Sequence, residues 1–278
     1  MEGERRHAPL RWAMPADFDY SCSSADAYAT ASTAIVEPFA TIRAALDYCY
    51  HQRTTPARQQ LQGQLIQRLL HTKQRRRTKQ RPWLVFTAGA MGAGKSHAIR
   101  TMAESGDFPL GRFTALDPDA VKGMLPEAPG YAAAGRVTAA TMLHRESGLI
   151  VEIAQEAALR AGGDLLIDGS LRDAAWHAAV IADIRRRFPL YRLAIVHVVC
   201  APEIVQQRCA RRARVTGREV PAALIDLAIE QVPKSVAALS PLVDAVFEID
   251  SSGEAPRLTS GTGFGALRAT FADSEPSL

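Results

Sequence analysis

One stretch limits what this chain can fold into more than any other: Gly89, Ala90, Met91, Gly92, Ala93, Gly94, Lys95 and Ser96, which read G-x-x-x-x-G-K-S. Before it, Trp83, Leu84, Val85, Phe86, Thr87 and Ala88 form an apolar run rich in strand-formers. After it, residues 97–104 carry good helix propensity and no breaker. Strand, glycine loop and helix in that order are the context that gives the pattern a mechanism. The glycines let successive backbone N–H groups turn toward phosphate oxygens, and the helix N-terminus adds its partial positive charge. Lys95 would reach the β- and γ-phosphates, and Ser96 would offer a hydroxyl to Mg²⁺. The expected nucleotide-binding residues are therefore 89–96 together with His97, which follows Ser96. A glycine-rich turn that merely ends in Lys-Ser is the bland alternative, and the two correct flanks argue against it.

A chain of 278 residues can hold one large α/β domain or two small ones. Apolar content of 47% and charged content of 22% are ordinary for a globular protein, and a net charge of +4 suits an anionic substrate. The four cysteines show no C-x-x-C spacing and read as reduced thiols. The N-terminus lacks a signal-peptide core, and no apolar run approaches the ~20 residues of a membrane span. The expectation is a soluble cytoplasmic protein with no membrane partner.

Residues 1–34 mix Pro, Ser, Ala and Asp without a period and are expected to be a poorly ordered leader. Ile35, Phe39, Ile42, Leu46 and Tyr50 fall on one helical face, and a second helix is expected from Pro56 through the stripe Leu61, Leu65, Leu69. Residues 35–82 thus form an N-terminal helical extension ending in the basic run Lys73 to Arg81. That run would suit a nuclear address or a nucleic-acid patch, but no aromatic residues are interleaved for stacking. A solvated helix end is the preferred reading, which leaves nucleic acid disfavoured as a partner.

Beyond the loop, strands are expected at 112–116, 164–168, 193–199 and 243–249. Between them lie a short helix at 120–124, a loop at Pro126, Pro129 and Gly130, a long helix at 137–161, and helices near 174–188 and 204–215. Five alternations of strand and helix give an α/β fold, a doubly wound parallel five-stranded sheet spanning residues 83–250. The tail 251–278, rich in Gly, Ser, Thr and Pro, is expected to be flexible.

Ligands in such a sheet bind beyond the carboxyl ends of the strands. The second strand ends in Asp117-Pro118-Asp119 and the third in Asp168-Gly169-Ser170, so these carboxylates are expected where a γ-phosphate would lie. Asp168 has the form of a metal-positioning aspartate, with Ser96 as the other Mg²⁺ ligand. Asp119 is the candidate base for an acceptor hydroxyl. Either aspartate could instead serve as a helix cap. Arg208, Arg211, Arg212, Arg214 and Arg218 supply cations for the transferring phosphate, although all five cannot touch it.

Several of these stretches, in this order, resemble the zeta toxin domain family, whose characterised members are P-loop kinases acting on UDP-N-acetylglucosamine. They are residues 89–96, Leu116-Asp117-Pro118-Asp119 with Lys122, His144-Arg145-Glu146-Ser147, Ile167-Asp168-Gly169-Ser170-Leu171, and Thr216-Gly217-Arg218-Glu219-Val220-Pro221. The resemblance implies ATP as phosphate donor and Lys95 as a catalytic cation. It implies Asp119 as the base that activates a sugar hydroxyl, with Glu146 and Glu152 contacting the sugar nucleotide. Asp168 and Ser170 would stand near the acceptor, and Arg208 or Arg212 with Arg218 would neutralise the transferring phosphate. Ser170 stands where the family more often has threonine, and Asp168 where bacterial toxins often carry Glu. An antitoxin-like protein partner is implied only as an option.

The leading expectation is an ATP-dependent kinase transferring the γ-phosphate to a hydroxyl of a small metabolite, a UDP-N-acetyl-sugar above others. A polynucleotide-end kinase and a non-catalytic ATP-binding module are the alternatives; intact Lys95, Ser96, Asp119 and Asp168 speak against the second.

Overall fold

A computed structural model describes residues 12–71, 81–216, 221–259 and 264–272. The basic run therefore lies outside the described residues except for Arg81. Before the glycine loop come α1 (Ser24–Ala27), α2 (Ala40–Ala44), α3 (Pro56–His71) and β1 (Trp83–Ala88). After it follow α4 (Lys95–Glu104), β2 (Thr114–Leu116), α5 (Pro118–Met124), α6 (Ala128–Ala134), α7 (Arg136–Met142) and α8 (His144–Ala161). The chain continues through β3 (Leu165–Ile167), α9 (Ala174–Arg187), β4 (Arg192–Val199), α10 (Pro202–Thr216) and α11 (Ala222–Leu239). It closes with β5 (Ala245–Asp250), β6 (Arg257–Leu258) and α12 (Phe264–Ala272). These elements form two compact units: Met1–Thr72 with Leu116–Ala157, and Lys73–Ala115 with Ala158–Leu278. No helix among the described residues is long and apolar enough to cross a membrane.

The second unit carries the sheet, in the order β2-β3-β1-β4-β5-β6. Every residue of β1 is buried, which is why its run is apolar rather than alternating. Parallel registers place Phe86 opposite Ile167 on β3 and opposite Ile195 on β4. From β1 the chain winds outward to β2, returns to β3, then crosses to β4 and β5. This is the doubly wound parallel sheet that the alternation predicts. A sixth strand is added: β6 pairs antiparallel with β5, Ile249 opposite Leu258.

That addition belongs to the tail, which was expected to be flexible. Its described part is instead tied to the core. Phe271 on α12 is wholly buried, edge-on to Trp83 at 5.1 Å and to Phe108 at 5.3 Å. Arg112 Nη1 donates to the Phe271 carbonyl oxygen at 2.7 Å, a cation satisfying a helix C-terminus. Apolar residues spaced four apart, Leu267 and Phe271, gave the signal that Gly and Ser content obscured.

The first unit is organised around a buried guanidinium. Arg58 on α3 donates from Nε and Nη2 to Glu146 at 2.7 Å each, and from Nη1 and Nη2 to Glu127 at 2.7 and 3.0 Å. Gln62 donates to Glu146 at 2.8 Å and the Tyr28 hydroxyl donates to Glu127 at 2.8 Å. The guanidinium carbon also lies 4.0 Å from the Tyr28 ring centroid, a cation–π contact. Arg43, which donates to Gln62 at 2.9 Å, brings the second positive charge, and burial pulls its pKa down to about 10. Two cations thus face two carboxylates inside one unit, and each acid has donors on it.

Other readings of the extension change. Of the stretch 35–50 only α2 is helical, because Pro38 lies in its path and biases Glu37 away from helix. Residues 126–130 were read as a loop, but α6 starts there, since a proline is tolerated in a first helical turn. The long helix of 137–161 is two, α7 and α8, separated at Leu143. Residues 12–34, expected to be a poorly ordered leader, include α1, capped by the Ser23 hydroxyl accepting from Asp26 N.

Phe271→Ala should cost about 3–5 kcal/mol, read by denaturant unfolding, because the site cannot collapse around a lost ring. In the first unit, burial alone would raise the Glu146 carboxyl, but Arg58 and Gln62 outweigh it and hold it below its ordinary 4.5. The pair's stabilisation is therefore full above pH 4.5 and drains away as pH falls through the lower folded-state value. Arg58→Ala should cost about 3–5 kcal/mol at neutral pH by leaving buried acids unpaired, and thermal melts should show the difference shrinking in acid.

Candidate active site

In the second unit β1 runs into the glycine loop, and α4 begins at Lys95 with Gly94 as its left-handed N-cap, φ 86°. A Cβ at Gly92, φ +87°, would lie 2.6 Å from Cys209 Sγ and 2.8 Å from the Val205 carbonyl oxygen. At Gly94 it would lie 3.1 Å from Arg208 Nη1. Both positions need glycine twice over, for the backbone angle and for the close approach of α10.

The loop is braced from beneath. The Ser251 hydroxyl donates to the Ala93 carbonyl oxygen, and Ser251 N donates to Val199 at 2.9 Å. Arg208 Nη2 donates to the Ser251 carbonyl oxygen at 2.8 Å, which fixes its guanidinium against Gly94. Cys209 donates to the Met91 carbonyl oxygen at 3.3 Å. Burial pushes that thiol up, against the pull of Arg212 and Lys95, so it stays protonated. Lys95 Nζ donates to the carbonyl oxygens of Gly89 at 2.9 Å and Ala90 at 3.3 Å, folding its charge over the loop.

Beside the loop, β1 and β3 present a hydroxyl and a carboxylate next to each other. The buried Thr87 Oγ1 donates to Asp168 Oδ1 at 2.6 Å and accepts from Gly169 N at 3.1 Å. This leaves Asp168 Oδ2 3.4 Å from the Ser96 hydroxyl. Ser170 has an exposed side chain, and its carbonyl oxygen accepts from Gly89 N at 3.2 Å. His97 is exposed in the first turn of α4. Arg218 lies outside the described residues.

In the first unit, Asp117 takes the cap role, its carboxylate accepting from Asp119 N at 2.8 Å. Asp119 is thereby left to pair with Lys122 Nζ at 3.0 Å, with its side chain half exposed. Burial and then Lys122 pull His144 down, against Asp119, which favours a neutral imidazole. Glu146 and Glu152, grouped by the resemblance, have different surroundings: Glu146 is enclosed by Arg58 and Gln62, and Glu152 is half exposed beside His51.

Sequence reasoning missed Thr87, Ser251 and His51, and named His144 only within a motif stretch. A hydroxyl in the middle of an otherwise apolar buried strand was a usable signal for Thr87. Nothing local marks Ser251, whose role comes from being brought to the loop by β5.

Residues 66–255 match the sequence profile of the family described as zeta toxin. The chain belongs to the zeta toxin family. Among solved structures it is similar to a chain from the PezAT chromosomal toxin–antitoxin system of Streptococcus pneumoniae. That match is 15% identical, covers 72% of this chain and 80% of that one, and has a TM-score of 0.60. It is also similar to a chain of the AvrRxo1-ORF1:-ORF2 complex solved with ATP, 12% identical over 92% of this chain and 83% of that one, with a TM-score of 0.59. Comparison with curated proteins gave no match. Likeness at these identities speaks for the fold, and the zeta toxin match makes this a P-loop, kinase-like protein.

Thr87→Val keeps shape but leaves Asp168 Oδ1 without the Thr87 donor, which should cost about 1–3 kcal/mol of stability. Denaturant unfolding of the variant against the wild type checks this loss.

Proposed function

We propose that the protein transfers the γ-phosphate of ATP to a hydroxyl of a UDP-N-acetyl-sugar. The observation that supports phosphoryl transfer is the Ser96–Asp168–Thr87 set beside a braced glycine loop, because a hydroxyl and an oriented carboxylate at that place suit it; the sugar-nucleotide acceptor rests on the family resemblance. Residues 89–97 hold the nucleotide phosphates, with the Lys95 ammonium on the β- and γ-oxygens and Arg208 against the transferring group. Arg218 is assigned the same duty on the resemblance alone. Ser96 and Asp168 fit Mg²⁺, a hard cation that takes few protein oxygens and fills its shell with phosphate and water. When bound, the ion supplies charge neutralisation on the phosphates.

Asp119, paired with Lys122 beside the capping Asp117, accepts the acceptor's proton. Glu152 and Ser170 contact the sugar nucleotide, with Asp168 beside the reacting groups. Glu146, enclosed by Arg58, serves by shaping the unit that carries them. Free cysteines suit a reducing cytoplasmic setting. An antitoxin-like protein partner belongs to the reading because the pneumococcal relative comes from a toxin–antitoxin system.

Lys95→Ala should abolish ATP consumption in the presence of UDP-N-acetylglucosamine. Asp119→Asn should lower turnover by about 10²–10⁴-fold, the usual worth of a positioned base, with ATP affinity within about twofold. Wild-type turnover in the Asp119 variant would overturn its role as base, and no stimulation of ATP consumption by the sugar nucleotide would overturn the acceptor.

A further inference from the structure

One hydrogen-bonded pair of the first unit, His51 and Glu152, stands apart from the buried cluster. Residues 47–51 form a tight turn in which Tyr50 N and His51 N donate to the Asp47 carbonyl oxygen at 3.1 and 2.8 Å, and Cys49 N donates to Asp47 Oδ1 at 2.8 Å. The turn is tied to α8 twice. Arg145 Nη2 donates to the Tyr50 carbonyl oxygen at 2.9 Å, and His51 Nε2 lies 2.7 Å from Glu152 Oε2. Arg145 and Glu152 are seven residues apart, about two helical turns, so both ties fall on one face of α8.

The pair is asymmetric: the His51 side chain is 8% exposed and that of Glu152 is 53% exposed. An ion pair between two exposed, mobile side chains fixes little, because both must give up rotamer freedom. Here the imidazole is already held by burial and by the turn, so only the carboxylate is ordered, and it is ordered while still open to solvent. The Tyr50 ring, 65% exposed, packs edge-on to the His51 ring at 4.9 Å and marks the same surface.

We infer that His51 is a positioning residue for the acceptor. It holds Glu152 in the one orientation in which the carboxylate accepts hydrogen bonds from the O–H or N–H groups of a polar acceptor. The segment preceding β1 is therefore part of acceptor recognition. Holding the group in place beforehand removes its ordering cost from binding. The inference rests on the reading above, in which Glu152 contacts a sugar nucleotide.

Steady-state kinetics with ATP and UDP-N-acetylglucosamine test it on the full chain. His51→Ala should raise the acceptor KM about tenfold, as expected for a lost hydrogen bond to a charged group, with kcat and the KM for ATP within about twofold. His51→Gln, whose amide nitrogen reaches about as far as Nε2, should restore most of the loss. Added to Glu152→Gln, His51→Ala should raise the acceptor KM no further, because the two act as one unit. Should His51→Ala prove too unstable to purify, His51→Asn against His51→Gln carries the same comparison, since the shorter amide falls short of Glu152. An unchanged acceptor KM in an enzyme whose wild type turns over would overturn the inference alone. A joint change of kcat, both KM values and the melting temperature would reduce His51 to a structural residue. Absence of wild-type turnover would remove the sugar-nucleotide reading and this inference with it.

Discussion

A hydrogen bond between adjacent strands, from Thr87 on β1 to Asp168 just past β3, is the interaction on which the candidate site depends. Parallel pairing of Phe86 with Ile167 makes Thr87 and Asp168 neighbours, and the same register sends the glycine loop out beside them. The hydroxyl fixes one carboxylate oxygen, so the other is left toward Ser96 at the start of α4. A carboxylate free to rotate at that place would be a charge without a direction. What the sheet adds to the motif is orientation: the loop brings backbone donors, and the neighbouring strand brings an aimed acid.

The loop in turn depends on contacts that a motif does not contain. Val205 and Cys209 on α10 approach Gly92 so closely that a methyl group has no room, and Ser251 after β5 holds Ala93 and Arg208 together. Residues more than a hundred positions downstream thus set the shape of a stretch that looks self-sufficient when read alone.

The first unit solves a different problem. Among apolar side chains such as Leu61, Leu65 and Ile150 its interior encloses a charged cluster, Arg58 and Arg43 set against Glu127 and Glu146, and every one of these groups would be costly to bury without its partners. That requirement separates two acids which look equivalent in a list of motifs. Glu146 and Glu152 are six residues apart on α8, about 120° apart around the axis, so they face different surroundings. The inward acid is committed to Arg58; the other is half exposed and paired with His51.

How much was legible in the sequence followed from the range of the interactions concerned. The strand–loop–helix around Lys95, the parallel alternation and the places of Asp119 and Asp168 at strand ends were all readable, because turn chemistry, periodicity and connection length act over a few residues. Even the capping role of Asp117 could be named as an alternative, since a cap reaches only to the next turn. The helix break at Leu143, the docking of Phe271, the commitment of Glu146 and the parts played by Thr87, Ser251 and His51 were not readable. All but the helix break are decided by partners far away in the chain, such as Arg58 for Glu146 and Glu152 for His51. By itself the sequence determined a phosphate-binding loop in a doubly wound sheet. Only the tertiary structure decided which of the acids on α8 stays half exposed and which is spent on holding the fold, because burial and charge pairing are properties of packing rather than of local order.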